Sequence, residues 1–445
     1  MTGFDSFKKV RTIEANFIDH GLSSLSAACK EKGYQVGLID LRALKGWEHF
    51  RQKVQHDDAD LYGITSWSLH YRDARECVRI IKDLVPHKPV IWGGVHATLN
   101  TPQLLSNPHI DHIITGEGEI TFLTLVESLR DGRKPPRCVP GERPDLDRIP
   151  WVDRDLFDCS GELETSMVPD LPIPFVTTNA GRGCPFKCNF CQPAERTVFG
   201  NKVRIRSPRN VVDELLYLQE RFHFNSFMAH DDLFFLSPRW MMEFCDVYES
   251  SGLQKPFICQ VRADLMCKFE PVVRRMAEVG FAWAMIGFES GSQRILDLFE
   301  KGTTVEQNLK AAKICRKYGI KVWANYMFGA PSETKSEVMD TVRMIWEIDP
   351  DHHSPSFFTP TPGSEMADFC DDNDLTVVGD DSSSCRTPIE KKIKGVDYDF
   401  LEKAIRMAQE GNPQTARGLV KRARQAINGF VKHTWGNIPL RPASG

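Results

Sequence analysis

Gly181-Arg182-Gly183-Cys184-Pro185-Phe186-Lys187-Cys188-Asn189-Phe190-Cys191 sets three thiols within eight residues, at intervals of four and then three. Three thiolates that close together can grip one inorganic centre, and thiolates suit both iron-sulfur clusters and zinc. A closed structural zinc site needs a fourth ligand, and no second cysteine knuckle follows downstream. Three cysteines on a cubane leave one iron open, which is a place for a substrate or cosubstrate to bind. The alternatives to a cluster are a zinc knuckle and a chance grouping of buried thiols.

The spacing, with aromatic Phe190 just before the last thiol, resembles the signature of radical S-adenosylmethionine enzymes. The resemblance implies that Cys184, Cys188 and Cys191 ligate a 4Fe-4S cluster and that S-adenosylmethionine chelates the open iron through its amino and carboxylate groups. It further implies that an electron from the cluster splits the sulfonium to a 5'-deoxyadenosyl radical. An external electron donor such as flavodoxin or ferredoxin is then required.

Around this stretch, apolar runs recur at Phe175 to Ala180, Ser226 to Ala229, Phe257 to Val261, Ala282 to Phe288, Val322 to Phe328 and Ser356 to Thr359, separated by five helical segments. In the first segment Val211, Leu215, Leu218 and Phe222 form one apolar stripe at helical spacing. Ser207-Pro208 and Ser237-Pro238 supply a capping hydroxyl with proline in the first turn. Six strand-helix repeats resemble the open partial (β/α)6 barrel of radical enzymes, expected over residues 171–365, with the site at the carboxyl ends of the strands. Those ends carry polar residues: His230, Asp231 and Asp232; Gln260 and Arg262; Gly287-Phe288-Glu289-Ser290-Gly291; and Asn325 to Pro331. A carboxylate buried there costs several kcal/mol unless paired or bound to a ligand. By resemblance, Glu289 and Ser290 contact S-adenosylmethionine, and Asp231, Asp232 and Arg262 line the same mouth.

Upstream, short apolar runs alternate with amphipathic helices: Val10 to Ala15, Leu22 to Lys32, Tyr34 to Leu41, Trp47 to Val54, Leu61 to Thr65, Ala74 to Leu84, Val90 to Trp92, Ile110 to Ile114 and Ile120 to Leu129. That order means parallel strands with crossover helices, an α/β doubly wound Rossmann-like sheet whose ligands sit outside the strand ends. The loops there read Asn16 to Gly21, Ser66-Trp67-Ser68, Gly93-Gly94-Val95-His96 and Gly116-Glu117-Gly118-Glu119, and glycine lets backbone approach a bulky ligand. Together they resemble the cobalamin-binding domain that precedes the radical module in one large class. The resemblance implies a domain over residues 1–140 that binds cobalamin through Ser66, Gly93, Gly94, His96, Gly116, Glu117 and Gly118. The class's Asp-x-His-x-x-Gly motif is absent, since Asp19-His20-Gly21 are adjacent, so no histidine is expected on the cofactor's lower face.

Residues 141–170 hold Pro144, Pro150 and Pro169 among charged residues and read as a linker or bridging strap. Residues 366–445 read as a small, mostly helical region, with Gly379 to Ser384 a polar loop and helices over Tyr398 to Gln409 and Gln414 to Lys432. At 445 residues, two or three domains are expected. A formal charge of −4 gives no general polyanion-binding field, so no nucleic acid partner is expected, and the basic Lys421, Arg422 and Arg424 read as a solvated face. No run of eighteen apolar residues occurs, so no membrane span is expected. Among thirteen cysteines, Cys29, Cys77, Cys245 and Cys315 stand singly, the pattern of buried thiols in a reducing cytoplasm.

A radical enzyme that also carries cobalamin is expected to act on a small molecule or biosynthetic intermediate as a methyltransferase at an unactivated carbon. A ring-forming reaction of the porphyrin-cyclase type is the first alternative. A non-enzymatic iron-sulfur carrier or sensor is the second, and it has no use for Glu289 or a glycine-rich mouth. Methylthio transfer to RNA wants a second cysteine trio, and Cys29, Cys77 and Cys138 are too dispersed to form one.

Overall fold

The structure is a computed structural model and describes residues 18–157, 163–166, 168, 170–191, 194–200, 202–235, 237–361, 363–377 and 392–413. Two parallel sheets organise these residues. The first has strands β1 (Tyr62–Thr65), β2 (Val90–Gly93), β3 (His112–Thr115) and β4 (Cys138–Pro140) in that order. Its faces are covered separately: Val90 and Trp92 pack with Phe50, Val54, Val78 and Ile81 on one side, whereas Ile91 packs with Ile114 and Leu125 on the other. A strand buried on both faces must be apolar throughout, as a parallel sheet between helices requires.

The second sheet holds β5 (Phe175–Thr178), β8 (Ser226–Ala229), β9 (Phe257–Val261), β10 (Phe281–Glu289), β11 (Lys321–Phe328) and β12 (His352–Phe357), adjacent in chain order and all parallel. This is the open half-barrel. Period-two alternation sorts its residues. Ala284, Ile286 and Phe288 point out to the helices with Val211, Leu215 and Leu218 of the striped helix Pro208–Phe222. Phe175, Met228, Ile258, Trp283, Met285 and Trp323 point in, and with Val168 and Leu171 they plug the barrel floor. Ser207 and Ser237 cap their helices as expected, and Thr304 with Gln307 and Thr334 with Glu337 form reciprocal capping boxes.

Two local expectations differ, and two short strand elements are additional. Among the described residues Tyr34–Asp40 joins no ladder; Asp40 instead caps a 3-10 turn, Leu41–Ala43. The last barrel strand begins at His352, earlier than the apolar run Ser356 to Thr359, because an edge strand with one neighbour accepts polar residues and Pro355. The three-residue β4 also lies at an edge, where Pro140 costs no ladder bond. A two-stranded antiparallel ladder, β6 (Gly181–Arg182) with β7 (Arg204–Ile205), closes the cysteine loop and had no sequence signal. The runs Val10 to Ala15, Gly379 to Ser384 and Gln414 to Lys432 lie outside the described residues, whereas the helix at Tyr398–Glu410 is present and packs its Met407 carbonyl on Trp346 Nε1 at 2.8 Å.

Candidate active site

The cysteine loop is fixed at both ends before any ligand is considered. Asp231, at the mouth of β8, accepts hydrogen bonds from the Ala180 amide at 3.1 Å and from the Gly181 amide. Burial pushes the Asp231 carboxyl up to about 7 against the pull of those two donors. Farther along, the Asn189 amide donates to Phe299 O at 3.2 Å, its side chain to Leu298 O at 2.8 Å, and Phe190 packs on Phe299 with centroids 4.7 Å apart. Between these anchors Cys184 and Cys188 are half-buried and Cys191 is exposed. No three His, Cys, Asp or Glu side chains among the described residues come close enough to hold one metal ion. A cubane takes its thiolates at three separate corners, so it accepts ligands spread along a loop.

Cations and an acid surround that loop. The Arg262 guanidinium lies 3.5 Å from the Phe186 ring centroid, with Nη1 3.6 Å from Cys188 Sγ, Nη2 on Lys301 O at 2.7 Å and Nε on Asp264 at 3.0 Å. Lys301 Nζ pairs with Glu289 Oε1 at 2.8 Å. Burial works against the charge on Lys301, yet Glu289 and Cys188 hold its ammonium above the ordinary range. The pair lies over Gly287 at the bulge of β10, where a Cβ would sit 2.9 Å from Lys301 Nζ, and Glu289 takes a left-handed φ of 59°. Ser290, fully buried, turns its hydroxyl to Thr341 Oγ1 at 3.2 Å and the Ser292 amide at 3.1 Å, and so braces this turn from behind. Asp232 is exposed at the mouth beside His230.

One continuous cavity joins the barrel mouth to the strand ends of the first sheet. Thr177, Asn179, His230, Gln260 and Asn325 face it above the floor residues Met228, Met285 and Trp323, and Asp231 and Asp232 lie at its rim. From the other side come Ser66, Gly93, Gly94, Gly116, Glu117 and Gly118. Gly94 has φ 87°, and a Cβ there would collide with Thr65 Oγ1, so only glycine fits. His96 is not on this wall: its ring stacks 4.5 Å from Tyr71, near Trp92, with Nδ1 3.2 Å from Ser68 Oγ. Glu117 lines the cavity with its backbone neighbours while its carboxylate is committed to Arg182 at 2.6 Å and to Arg204.

Comparison with known proteins identifies both halves. Residues 178–345 match the Radical SAM superfamily and residues 9–126 the B12 binding domain. The chain is a radical S-adenosylmethionine enzyme with an N-terminal B12-binding domain. The enzyme is 28% identical over 406 residues to an uncharacterized methyltransferase of Pyrococcus horikoshii, covering 87% of this chain and 86% of that one. It is 29% identical over 339 residues to the anaerobic magnesium-protoporphyrin IX monomethyl ester cyclase of Rubrivivax gelatinosus, covering 72% of this chain and 60% of the cyclase. In fold it is similar to the radical S-adenosylmethionine methyltransferase TsrM from Kitasatospora setae, solved with cobalamin and a [4Fe-4S] cluster bound, at TM-score 0.60 and 18% identity over 79% of this chain and 74% of that one. The cofactors of this enzyme are accordingly a 4Fe-4S cluster, S-adenosylmethionine and cobalamin. No described helix is long and apolar enough to cross a membrane.

The residues present fit these groups. Cys188 Sγ lies 3.6 Å from Arg262 Nη1 and close to Lys301, whose charges offset a thiolate. At the other end Ser66 Oγ is buried without a hydrogen-bond partner and faces the cavity, and a buried hydroxyl in that state is a ready ligand contact. His20 also lines the cavity, but its Nε2 lies 2.8 Å from Thr177 Oγ1 of the barrel. Burial, with Arg154 and His230 nearby, holds its imidazole well below the usual range, hence neutral. Consistent with that engagement, His20→Ala is expected to leave cobalamin occupancy and the cobalt(II) paramagnetic resonance spectrum almost unchanged. A nitrogen splitting lost in the variant would place His20 on the metal.

Sequence reading passed over Arg182, Arg204 and Lys301. The first stands inside the decisive stretch, yet its partner Glu117 is 65 residues away, and nothing local pairs them. Lys301 could have been suspected as the cation required by a carboxylate such as Glu289 at a strand end.

Proposed function

We propose that this enzyme transfers a methyl group to an unactivated carbon of a small molecule or biosynthetic intermediate. The supporting observation is the shared cavity, whose two walls are the glycine-rich strand ends of the B12-binding domain and the polar inner ring of the half-barrel. When bound, the cluster with S-adenosylmethionine supplies a carbon-centred radical and cobalamin a transferable methyl group. The residues of the chain would do the rest. Glu289, held by Lys301, and Arg262, stacked on Phe186, would orient S-adenosylmethionine beside the loop, with Asp231 fixing the loop and Asp232 at the rim. Met228, Met285 and Trp323 close the floor and exclude water, while His230, Gln260 and Asn325 offer hydrogen bonds to a substrate above them. An external donor of the flavodoxin or ferredoxin type would supply the electron.

The test uses reduced enzyme, substrate and methyl-labelled S-adenosylmethionine. Methyl transfer yields S-adenosylhomocysteine and 5'-deoxyadenosine together, with label on a carbon of the product. Glu289→Ala is expected to lower both roughly ten- to hundredfold, the worth of one hydrogen bond to a charged group. The cyclase relative keeps a second reading in play: 5'-deoxyadenosine formed with turnover but without label in the product would replace methyl transfer by ring formation.

A further inference from the structure

Four charged side chains join the two ends of the cavity. Arg182 lies two residues before Cys184 and pairs in register with Arg204 across the ladder that closes the cysteine loop. Both reach into the first domain. Arg182 Nη1 bonds Glu117 Oε2 and its Nη2 bonds Glu119 Oε1, each at 2.6 Å, while Arg204 takes Glu117 Oε1. Glu119 also accepts from Ser24 Oγ at 2.9 Å, and Arg204 Nη1 donates to Pro144 O at 2.9 Å. The carboxylates are 1% and 7% exposed. Their partners are fork-shaped guanidiniums, which fix orientation as well as charge. Gly116, Glu117 and Gly118 meanwhile form part of the cavity wall. Whatever fills that end presses on a loop whose side chains are bolted to the cysteine ladder.

We propose that Arg182 is a positioning residue through which a corrin in the glycine-rich end of the cavity sets the conformation of the cysteine loop. The inference rests on cobalamin occupying that end and not on which reaction follows. Because such linkage is reciprocal, an ordered cluster loop must in turn tighten corrin binding by the same factor.

Hydrogen exchange and spectrophotometric titration with hydroxocobalamin test this on the full chain. In the wild type, exchange of amides in residues 183–191 is expected to slow about tenfold on loading, and cluster reconstitution to tighten hydroxocobalamin by a similar factor, within the usual range of coupling between sites. In Arg182→Ala both responses should shrink below about twofold, and Arg182→Lys, which keeps the charge but loses the fork, should recover part of them. Should Arg182→Ala fail to fold, Glu119→Gln removes one charge from the same contact with little change of shape and should weaken the response. A purely structural role would lower stability in both states and leave the ratio between loaded and unloaded protein unchanged. An unchanged wild-type loop on loading, or a full response in Arg182→Ala, overturns the proposal. Absence of hydroxocobalamin binding in the titration overturns it together with its premise, whereas binding without coupling overturns it alone.

Discussion

Replacing Cys184, Cys188 and Cys191 together by alanine is expected to reduce iron and acid-labile sulfide after anaerobic reconstitution to background, and to abolish 5'-deoxyadenosine formation. The fold should survive. None of the three thiols belongs to a core cluster, two are half-buried and one is exposed. The loop's position depends instead on Asp231, on the β6–β7 ladder and on the contacts of Asn189 and Phe190 with the segment ending at Phe299. The Cys188 thiol touches buried Arg262, but Arg262 keeps Asp264 and Lys301 O, and Lys301 keeps Glu289. Substitutions that leave buried networks paired change stability by about 0.5 kcal/mol or less each, so the thermal midpoint and far-ultraviolet circular dichroism should stay close to wild type. Iron and sulfide analysis beside a melting curve separates loss of ligands from loss of structure. A triple variant that kept a full cluster would remove these thiols from the metal site.

Gly141→Ala is expected to be the most damaging single methyl group near the cobalamin end. Gly141 follows β4, and its amide donates to Thr115 O at 2.6 Å. A Cβ there would collide with Glu117 O and come within 2.6 Å of Thr115 O and 2.8 Å of Glu117 N. These are backbone atoms, which have no rotamer to escape into, so the whole 115–117 segment must move. Overpacking of this kind costs about 1–3 kcal/mol. The displaced loop also carries the carboxylate that Arg182 and Arg204 hold. Hydroxocobalamin affinity should therefore fall at least about tenfold, beyond what the lost stability explains, since 1.4 kcal/mol suffices for that factor. Equilibrium titration at a temperature well below the variant's melting point measures it. Wild-type affinity in Gly141→Ala would mean that the 116–118 loop is not part of the binding wall.

What could be read from sequence follows from how each feature is encoded. Central parallel strands such as Phe257–Val261 and Phe281–Glu289 are apolar on both faces because both are buried, so they stand out as runs. Edge strands β4 and β12 have one neighbour and tolerate proline and histidine, so they blur into their surroundings. The cluster motif is legible because its three residues are local. The Glu289–Lys301 pair is half legible, for a mouth carboxylate announces the need of a cation without naming it. His96 misled because adjacency to Gly94 in sequence does not fix where a ring points, and Tyr71 and Trp92 draw it into the core of the first sheet. The arginine contacts to Glu117 are invisible for a simpler reason: pairing at long range leaves no spacing to read.

The segment between the two matched regions limits how such an enzyme can be recombined. Asp153 faces the first domain, binding Ser26 Oγ at 2.6 Å and Lys30 Nζ at 2.7 Å, while its neighbour Arg154 faces the barrel, donating to Thr177 O beside Glu214. Two consecutive residues thus serve as a double-ended dowel between modules. A chimaera that joined this barrel to a foreign corrin module would strand Arg182 and Arg204 against a surface lacking Glu117 and Glu119, and unpaired buried charge costs about 3–5 kcal/mol per site. New substrate ranges are more cheaply reached from inside, through His230, Gln260 and Asn325, which line the cavity and take no part in the joint.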